Sequence, residues 1–209
     1  GYGAGLRPAG GYTAVKVPVF SFAKLHQVDT SLGPEMKSTG EVLGVDESYA
    51  GALYKGFVAA GIRIPKSGTI LATLADKDKA EAIPLLREFV RLGFKIVATS
   101  GTAAVLARAG VPAGQVYKIG EGGPHILELI ADDRIDMIIN TFTKGRHQER
   151  DGFKIRRAAV EQNIPCLTSL DTAWAILEVL RNGQGNGNLE LVPLQEYARK
   201  KGYDDAVSV

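Results

Sequence analysis

Residues 94–110 read FKIVATSGTAAVLARAG. An apolar run stops at Thr99-Ser100-Gly101-Thr102 and resumes as a helix-forming Ala/Leu segment that ends at Gly110. A strand that turns directly into a helix is the repeating unit of a parallel sheet. The three hydroxyls and the glycine admit two readings. Thr and Ser cap helices, and Gly permits a tight turn. Alternatively, a helix start with free N–H groups, small side chains and hydroxyls holds an anion such as phosphate.

Outward from this stretch, the chain from about Leu71 onward alternates strand-like and helix-like segments. Strands are predicted at 69–74 (TILATL), 94–99 (FKIVAT), 115–118 (QVYK), 136–140 (DMIIN) and 165–168 (PCLT). Helices are predicted at 78–92, 102–109, 124–131, 153–162 and 170–181. Ile83, Leu86, Phe89 and Val90 recur at helical spacing in the first of these, with Gly93 as its stop. Pro84 sits inside that helix and predicts a kink or a later start. The pattern specifies an α/β fold: a five-stranded parallel sheet with helices on both faces, a three-layer arrangement of Rossmann or flavodoxin type. The Gly/Asn tract NGQGNGN breaks the chain after residue 181, and a short C-terminal helix is predicted in LVPLQEYARKKGY.

Residues 1–66 differ: a Gly-rich opening, an extended VKVPVFSF, a polar loop DTSLGPEMKSTGE and a helix-like run at 46–60. They hold too little apolar material for a core of their own and read as the end of a neighbouring domain plus a connector. Residues 67–209 form the second unit, with the boundary near Ile64 to Gly68. The chain does not start with methionine and shows no charged start followed by an apolar run, so the expectation is a fragment of a longer chain or a processed product, with no secretory signal.

Of 209 residues, 45% are hydrophobic and 23% charged, the balance of an ordinary globular protein. No apolar run reaches the roughly 18 residues of a membrane span. A net charge of +2, from 25 basic and 23 acidic residues, gives no argument for nucleic acid. The single cysteine, Cys166, excludes an internal disulfide and any cysteine cluster for a metal, and suits a reducing cytoplasm. Its apolar neighbours make it a buried small hydrophobe.

Ligands of open parallel sheets bind at the carboxyl ends of the strands. The predicted exits carry Thr73 leading to Lys79; Thr99, Ser100, Gly101 and Thr102; Lys118; Asn140, Thr141 and Thr143 with Lys144 and Arg146; and Thr168 with Ser169. This rim supplies donors and cations but few bases, which suits a phosphorylated ligand such as a nucleotide monophosphate. Thr99 and Thr102 would bracket the phosphate, Lys79 and Lys118 add charge, and Asn140 read a ribose hydroxyl or base edge. Each residue taken singly also reads as a cap or a solvated charge. The nearest carboxylates, Asp76, Glu121, Asp151 and Asp171, fall outside the hydroxyl-rich turns. His125, in GEGGPHI, is either functional or a helix-end hydrogen-bonding group; His26 and His147 read as exposed loop residues.

The stretch LGPEMKSTGEVLGVD, residues 32–46, closely resembles the end of the second ATP-grasp half of the carbamoyl phosphate synthase large-subunit family. Downstream, ATSGTAAVLARAG, VYKIGEGGPHI and IINTFTKGR resemble the methylglyoxal-synthase-like regulatory domain that closes the same subunit. The resemblance spans about Ala14 to Ala198. It implies an allosteric domain preceded by the tail of an ATP-grasp domain. Lys79, Thr99, Thr102, Lys118 and Asn140 would hold the phosphate and ribose of a nucleotide effector, and Thr73 would line the same pocket. The family's next threonine falls on Thr143, with Thr141 as the fallback.

The intact enzyme resembled makes carbamoyl phosphate from bicarbonate, glutamine-derived ammonia and two ATP with Mg2+ or Mn2+, for pyrimidine and arginine synthesis in the cytoplasm. The resemblance implies no cofactor and no catalysis in this chain alone. Its partners would be the effector, the rest of the large subunit and the glutaminase small subunit, with no nucleic acid or membrane; self-association through the regulatory domain stays open. So does the effector: UMP, IMP, phosphoribosyl pyrophosphate, ornithine or acetylglutamate. Ornithine-activated relatives carry a glutamate and a tyrosine where Val17 and Cys166 stand here. The alternative is a lyase of methylglyoxal synthase type, acting on dihydroxyacetone phosphate. That enzyme uses an aspartate directly after a Gly-Gly pair, and in this chain Pro124 follows Gly122-Gly123.

Overall fold

The computed structural model describes residues 11–22, 36–142 and 151–182, together with Pro193 and Glu196. Strands β1 (Thr13–Val19) and β2 (Gly40–Asp46) form an antiparallel ribbon, covered by helix α1 (Tyr49–Ala59). The parallel sheet comes next: β3 (Thr69–Thr73), α2 (Lys79–Arg91), β4 (Lys95–Thr99), α3 (Ser100–Arg108), β5 (Gly114–Val116), α4 (Ile126–Ala131), β6 (Met137–Asn140), α5 (Asp151–Glu161), β7 (Cys166–Leu167) and α6 (Leu170–Arg181). A single 3-10 turn, Asp76–Asp78, leads into α2.

The five strands lie side by side in the order β5-β4-β3-β6-β7, every neighbouring pair parallel. The chain runs outward from β3 to β5, then returns to the other side of β3 for β6 and β7. Strand order therefore reverses between β3 and β6, where open sheets of this kind leave a crevice.

Side chains alternate across the sheet with a period of two. Ile70, Ala72, Ile96, Ala98, Met137 and Ile139 face one layer, where Leu85, Leu86 and Phe89 of α2, Leu106 of α3 and Ile176 of α6 complete the core. Leu71 and Ile138 face the other, against Ile126 and Ile130 of α4 and Ile155 and Ala159 of α5. Val17, Leu53 and Phe57 join the first layer, so the ribbon and α1 share the core of the sheet.

The parallel sheet and its two helical layers match the fold read from the sequence, but several local expectations are corrected. Pro84 does not delay the start of α2: it lies inside a helix that runs from Lys79 to Arg91. An interior proline costs about 3 kcal/mol, whereas each fully buried Leu or Phe contributes about 1.5–3 kcal/mol. Leu85, Leu86 and Phe89 are all 0% exposed, so burial wins. Gly40 and Glu41, read as the end of a polar loop, and Asp46, read as a helix start, belong instead to β2, which pairs with β1 along its whole length. Consequently α1 begins at Tyr49, with Ser48 as its cap.

Helix α3 begins at Ser100, two residues before the predicted 102, and β5 stops at Val116, two before the predicted 118. Tyr117 adds only a bridge to His125, and Pro124 lies outside α4. The predicted C-terminal helix lies outside the described residues apart from Pro193 and Glu196. Among the described residues, no helix is long and apolar enough to cross a membrane.

Candidate anion-binding site

The register sets Thr73 beside Asn140, and Thr99 beside Val116 on the far side of the same strand trio. Leu71, Val97 and Ile138 point toward the α4/α5 layer. Two residues further along each strand, Thr73, Thr99 and Asn140 project to that same face at its carboxyl edge. Three of the predicted exits thus open side by side.

At the start of α3 the two readings of the opening hydroxyls separate. Ser48 caps α1 in the ordinary way, its hydroxyl accepting from the Gly51 N–H at 3.0 Å. Ser169 does the same for α6, accepting from Thr172 N–H at 3.2 Å. Thr99, the corresponding residue of α3, has extended geometry (φ −62°, ψ 154°) but makes no side-chain cap bond. The first-turn N–H groups of an α-helix have no intrahelical acceptors. One turn in, Thr102 is 1% exposed and its hydroxyl has no partner among the described residues. A buried hydroxyl left unpaired costs about 1–3 kcal/mol. An occupant that accepts hydrogen bonds would remove that cost.

Lys79, the first residue of α2, brings a cation to this helix start. A Cβ placed on Gly101 would come within 3.1 Å of Lys79 Nζ, so the ammonium rests against the glycine that opens α3. Lys79 also meets Asp76 Oδ1 at 2.6 Å. The Lys79 side chain is 17% exposed and that of Asp76 96% exposed, so a largely buried lysine meets a carboxylate that stands in solvent. The hydrogen bond and charge of Lys79, with the charge of Lys118 added, hold the Asp76 carboxyl below the usual range. Lys118 therefore lies within electrostatic reach of the pair. Its own backbone N–H donates to Glu121 Oε2 at 3.0 Å.

On the other flank, Asn140 Nδ2 donates to Thr73 Oγ1 at 2.7 Å, while Asn140 Oδ1 accepts from Arg156 Nη1 at 3.0 Å. Thr141 is buried, and its hydroxyl accepts from the Ala75 N–H at 2.9 Å, tying the β6 exit to the β3 exit. Arg156 of α5 is 7% exposed, and its guanidinium carbon stands 4.7 Å over the Phe142 ring.

Of the ten residues singled out from sequence, Thr73, Lys79, Thr99, Ser100, Gly101, Thr102, Lys118, Asn140 and Thr141 all sit at this one sheet edge. Thr143 lies outside the described residues, as do His26, Lys144, Arg146 and His147. Ser169 is a helix cap, and Thr168 precedes it at the β7 exit. Asp76 lies outside the hydroxyl-rich turns, as read from the sequence, but from its 3-10 turn its carboxylate is bound to Lys79. Arg156 is absent from the residues the sequence points to. In KIRRAA a basic residue reads as solvent-facing, although its place four residues after Gly152 is a usable sign of close approach. His125 caps α4: its N–H donates to Glu128 Oε2 at 2.8 Å, and the ring stands 3.8 Å from the same carboxylate.

Among the described residues, no three His, Cys, Asp or Glu side chains gather as a metal site. Cys166 is partly buried against the second core layer, and desolvation pushes its thiol up to about 12 against a smaller opposing effect of the Arg156 charge, which favours the protonated form at neutral pH.

Residues 81–168 match the model of a protein family described as the MGS-like domain. The matched span carries the α3 helix start, Lys118, Asn140 and Thr141, and begins two residues past Lys79. Two solved structures are similar in fold. One is methylglyoxal synthase from Elizabethkingia anophelis NUHP1, 21% identical, covering 55% of this chain and 79% of that chain at a TM-score of 0.45. The other is described as ForH, 20% identical, covering 57% of this chain and 82% of that chain at a TM-score of 0.43.

Proposed function

We propose that the site binds the phosphoryl group of a nucleoside monophosphate, UMP-like in class, and that the chain is the allosteric end of a carbamoyl phosphate synthase large subunit. On this reading the whole enzyme is a ligase that uses ATP and Mg2+ or Mn2+ in the cytoplasm, with a glutaminase subunit as its partner. The chain alone is non-catalytic. The observation that carries the binding reading is the Thr102 hydroxyl, buried without a partner beside an uncapped helix start and the Lys79 ammonium. Helix N-termini favour anions through their free N–H groups and dipole. The motif in residues 32–46 supports the assignment to the synthase family.

A lyase of methylglyoxal synthase type is the competing reading, favoured by the family description of residues 81–168. It requires a group that moves protons. Pro124 occupies the position after Gly122-Gly123 and has no such group. Asp76 is held to Lys79.

A regulator must bind its effector more strongly in one conformation of its enzyme than in another. Typical coupling is about 1–3 kcal/mol. Helix α1 packs on both the ribbon and α6, which makes it the contiguous link between the two parts of the chain. The test is calorimetric titration of the 209-residue chain with UMP, IMP, phosphoribosyl pyrophosphate, ornithine and acetylglutamate, beside an assay for methylglyoxal from dihydroxyacetone phosphate. Binding of a nucleoside monophosphate without turnover is the expected result. Turnover of dihydroxyacetone phosphate, or no binding of any phosphorylated ligand, would overturn it.

A further inference from the structure

Arg156, Asn140 and Thr73 form a chain in which each member dictates the role of the next. A guanidinium has five donors and no acceptor. The atom of Asn140 that faces it must therefore be the carbonyl oxygen, and Arg156 Nη1 meets that oxygen at 3.0 Å. With the amide so turned, Asn140 Nδ2 faces Thr73 Oγ1 at 2.7 Å. An amide nitrogen only donates, so the Thr73 oxygen accepts. Its own proton has no protein acceptor among the described residues and is left over for a ligand.

We propose that Arg156 is a positioning residue that sets the hydrogen-bond polarity of the crevice between β3 and β6, and so selects a ligand group that only accepts, as a phosphoryl oxygen does. The proposal rests on the phosphoryl-binding reading above and names what enforces it. Without the guanidinium, an asparagine amide can turn over and offer its oxygen to Thr73. The threonine would then donate to the amide, and no donor would be left there for an accepting group of the ligand.

Two further features hold the relay in one state. Arg156 lies over the Phe142 ring, with the guanidinium carbon 4.7 Å from its centroid, which restricts where the fork can point. Gly152, one turn earlier on α5, leaves the room it needs: a Cβ there would stand 3.1 Å from Arg156 Nη1 and 3.6 Å from Asn140 Oδ1. The neighbouring hydroxyl obeys the same rule. Thr141 Oγ1 accepts from Ala75 N–H at 2.9 Å, so that bond does not use its proton either.

The test uses the whole chain with Arg156→Met, Arg156→Lys, Thr73→Val and the Arg156→Met/Thr73→Val double variant. Without ligand, the Asn140 side-chain amide protons should show nuclear Overhauser contacts to Thr73 in the parent and in Arg156→Lys, and lose them in Arg156→Met. With inorganic phosphate as probe, Arg156→Met and Thr73→Val should each weaken binding roughly tenfold, a typical effect of losing a hydrogen bond to a charged group. The double variant should match Thr73→Val alone within about twofold. Multiplicative losses, or an Asn140 amide that keeps its orientation in a folded Arg156→Met, overturn the relay. If Arg156→Met does not fold, Arg156→Lys decides: loss of the Thr73 contacts despite the retained donor overturns it. Failure of the parent to bind phosphate would sink the binding reading, while the amide signals would still decide the role of Arg156.

Discussion

Lys79 Nζ and Asp76 Oδ1 stand 2.6 Å apart, so the ammonium that rests against the α3 helix start has a carboxylate as its counter-ion. On the phosphoryl-binding proposal, an incoming anion would compete with Asp76 for the ammonium. Asp76→Asn is therefore expected to tighten phosphate binding at pH 7 by roughly two- to fivefold, the scale of an exposed ion pair. Calorimetry with inorganic phosphate measures it. Weaker binding in Asp76→Asn would mean that the carboxylate positions Lys79 instead of competing for it.

The same pair has a pH signature. The folded-state pKa of Asp76 is lowered, first by the Lys79 hydrogen bond and then by its charge. A lowered carboxyl contributes stability that is present above its unfolded pKa and fades as pH falls through the folded one. With the side chain 96% exposed, the contribution is small. Melting temperatures of parent and Asp76→Asn should differ more at pH 6 than at pH 3. A gap that widens toward acid would contradict the pairing.

Thr102→Val replaces an unpartnered buried hydroxyl with a methyl of similar volume. The melting temperature of the empty protein should hold or rise, since the lost group makes no hydrogen bond among the described residues. Phosphate affinity should fall by roughly tenfold or more, and Thr102→Ser should restore part of it. A stability loss without a binding loss would make Thr102 a packing residue only.

Cys166 supplies a check on the core. Its pKa is raised to about 12 by burial, so its neutral form is favoured by folding. The resulting stability is complete below the unfolded pKa of about 8.5 and is lost as pH climbs toward the folded value. Reaction with an aromatic disulfide reagent at pH 8 should be at least roughly a hundredfold slower in native protein than in denaturant. Rapid native labelling would show that the thiol is accessible.

Helix α1 meets β2 so closely that a Cβ on Gly44 would lie 2.0 Å from the Ala52 carbonyl oxygen and 2.4 Å from the Gly56 nitrogen. Gly44→Ala should cost about 1–3 kcal/mol in urea denaturation, the usual range for overpacking. Little change would mean that α1 can ride away from the ribbon, which would weaken the case for α1 as a route of coupling.

Much of the fold is legible because the sheet writes itself in short windows: the apolar run of residues 95–99, the hydroxyl turn after it and the Gly110 stop all lie within one segment. Pro84 does not mark the start of α2, because the helix that carries it is held by Leu85, Leu86 and Phe89 sealed against other elements. Strand β2 escapes a local reading because its pattern, GEVLGVD, carries two glycines and two acids and shows its strand character only when paired with β1. At the site, Thr73, Lys79, Thr102 and Asn140 are legible because each stands at or just beyond the carboxyl end of a readable strand. Asp76 and Arg156 are not, since the one has only a partner to mark it and the other sits on a helix whose basic run looks solvent-facing.

By itself, then, the sequence determined what is local: strand and helix periods, turn chemistry, and the placing of hydroxyls, amide and lysines at strand exits. Only the tertiary structure decided that β6 lies against β3, bringing Asn140 to Thr73 across 67 residues of chain. It alone decided that Arg156 is buried against that amide, that Thr99 leaves its helix uncapped and that Thr102 is enclosed without a partner. The physical reason is that strand order and burial arise from packing between distant segments, and no window of sequence records which neighbours a side chain will meet.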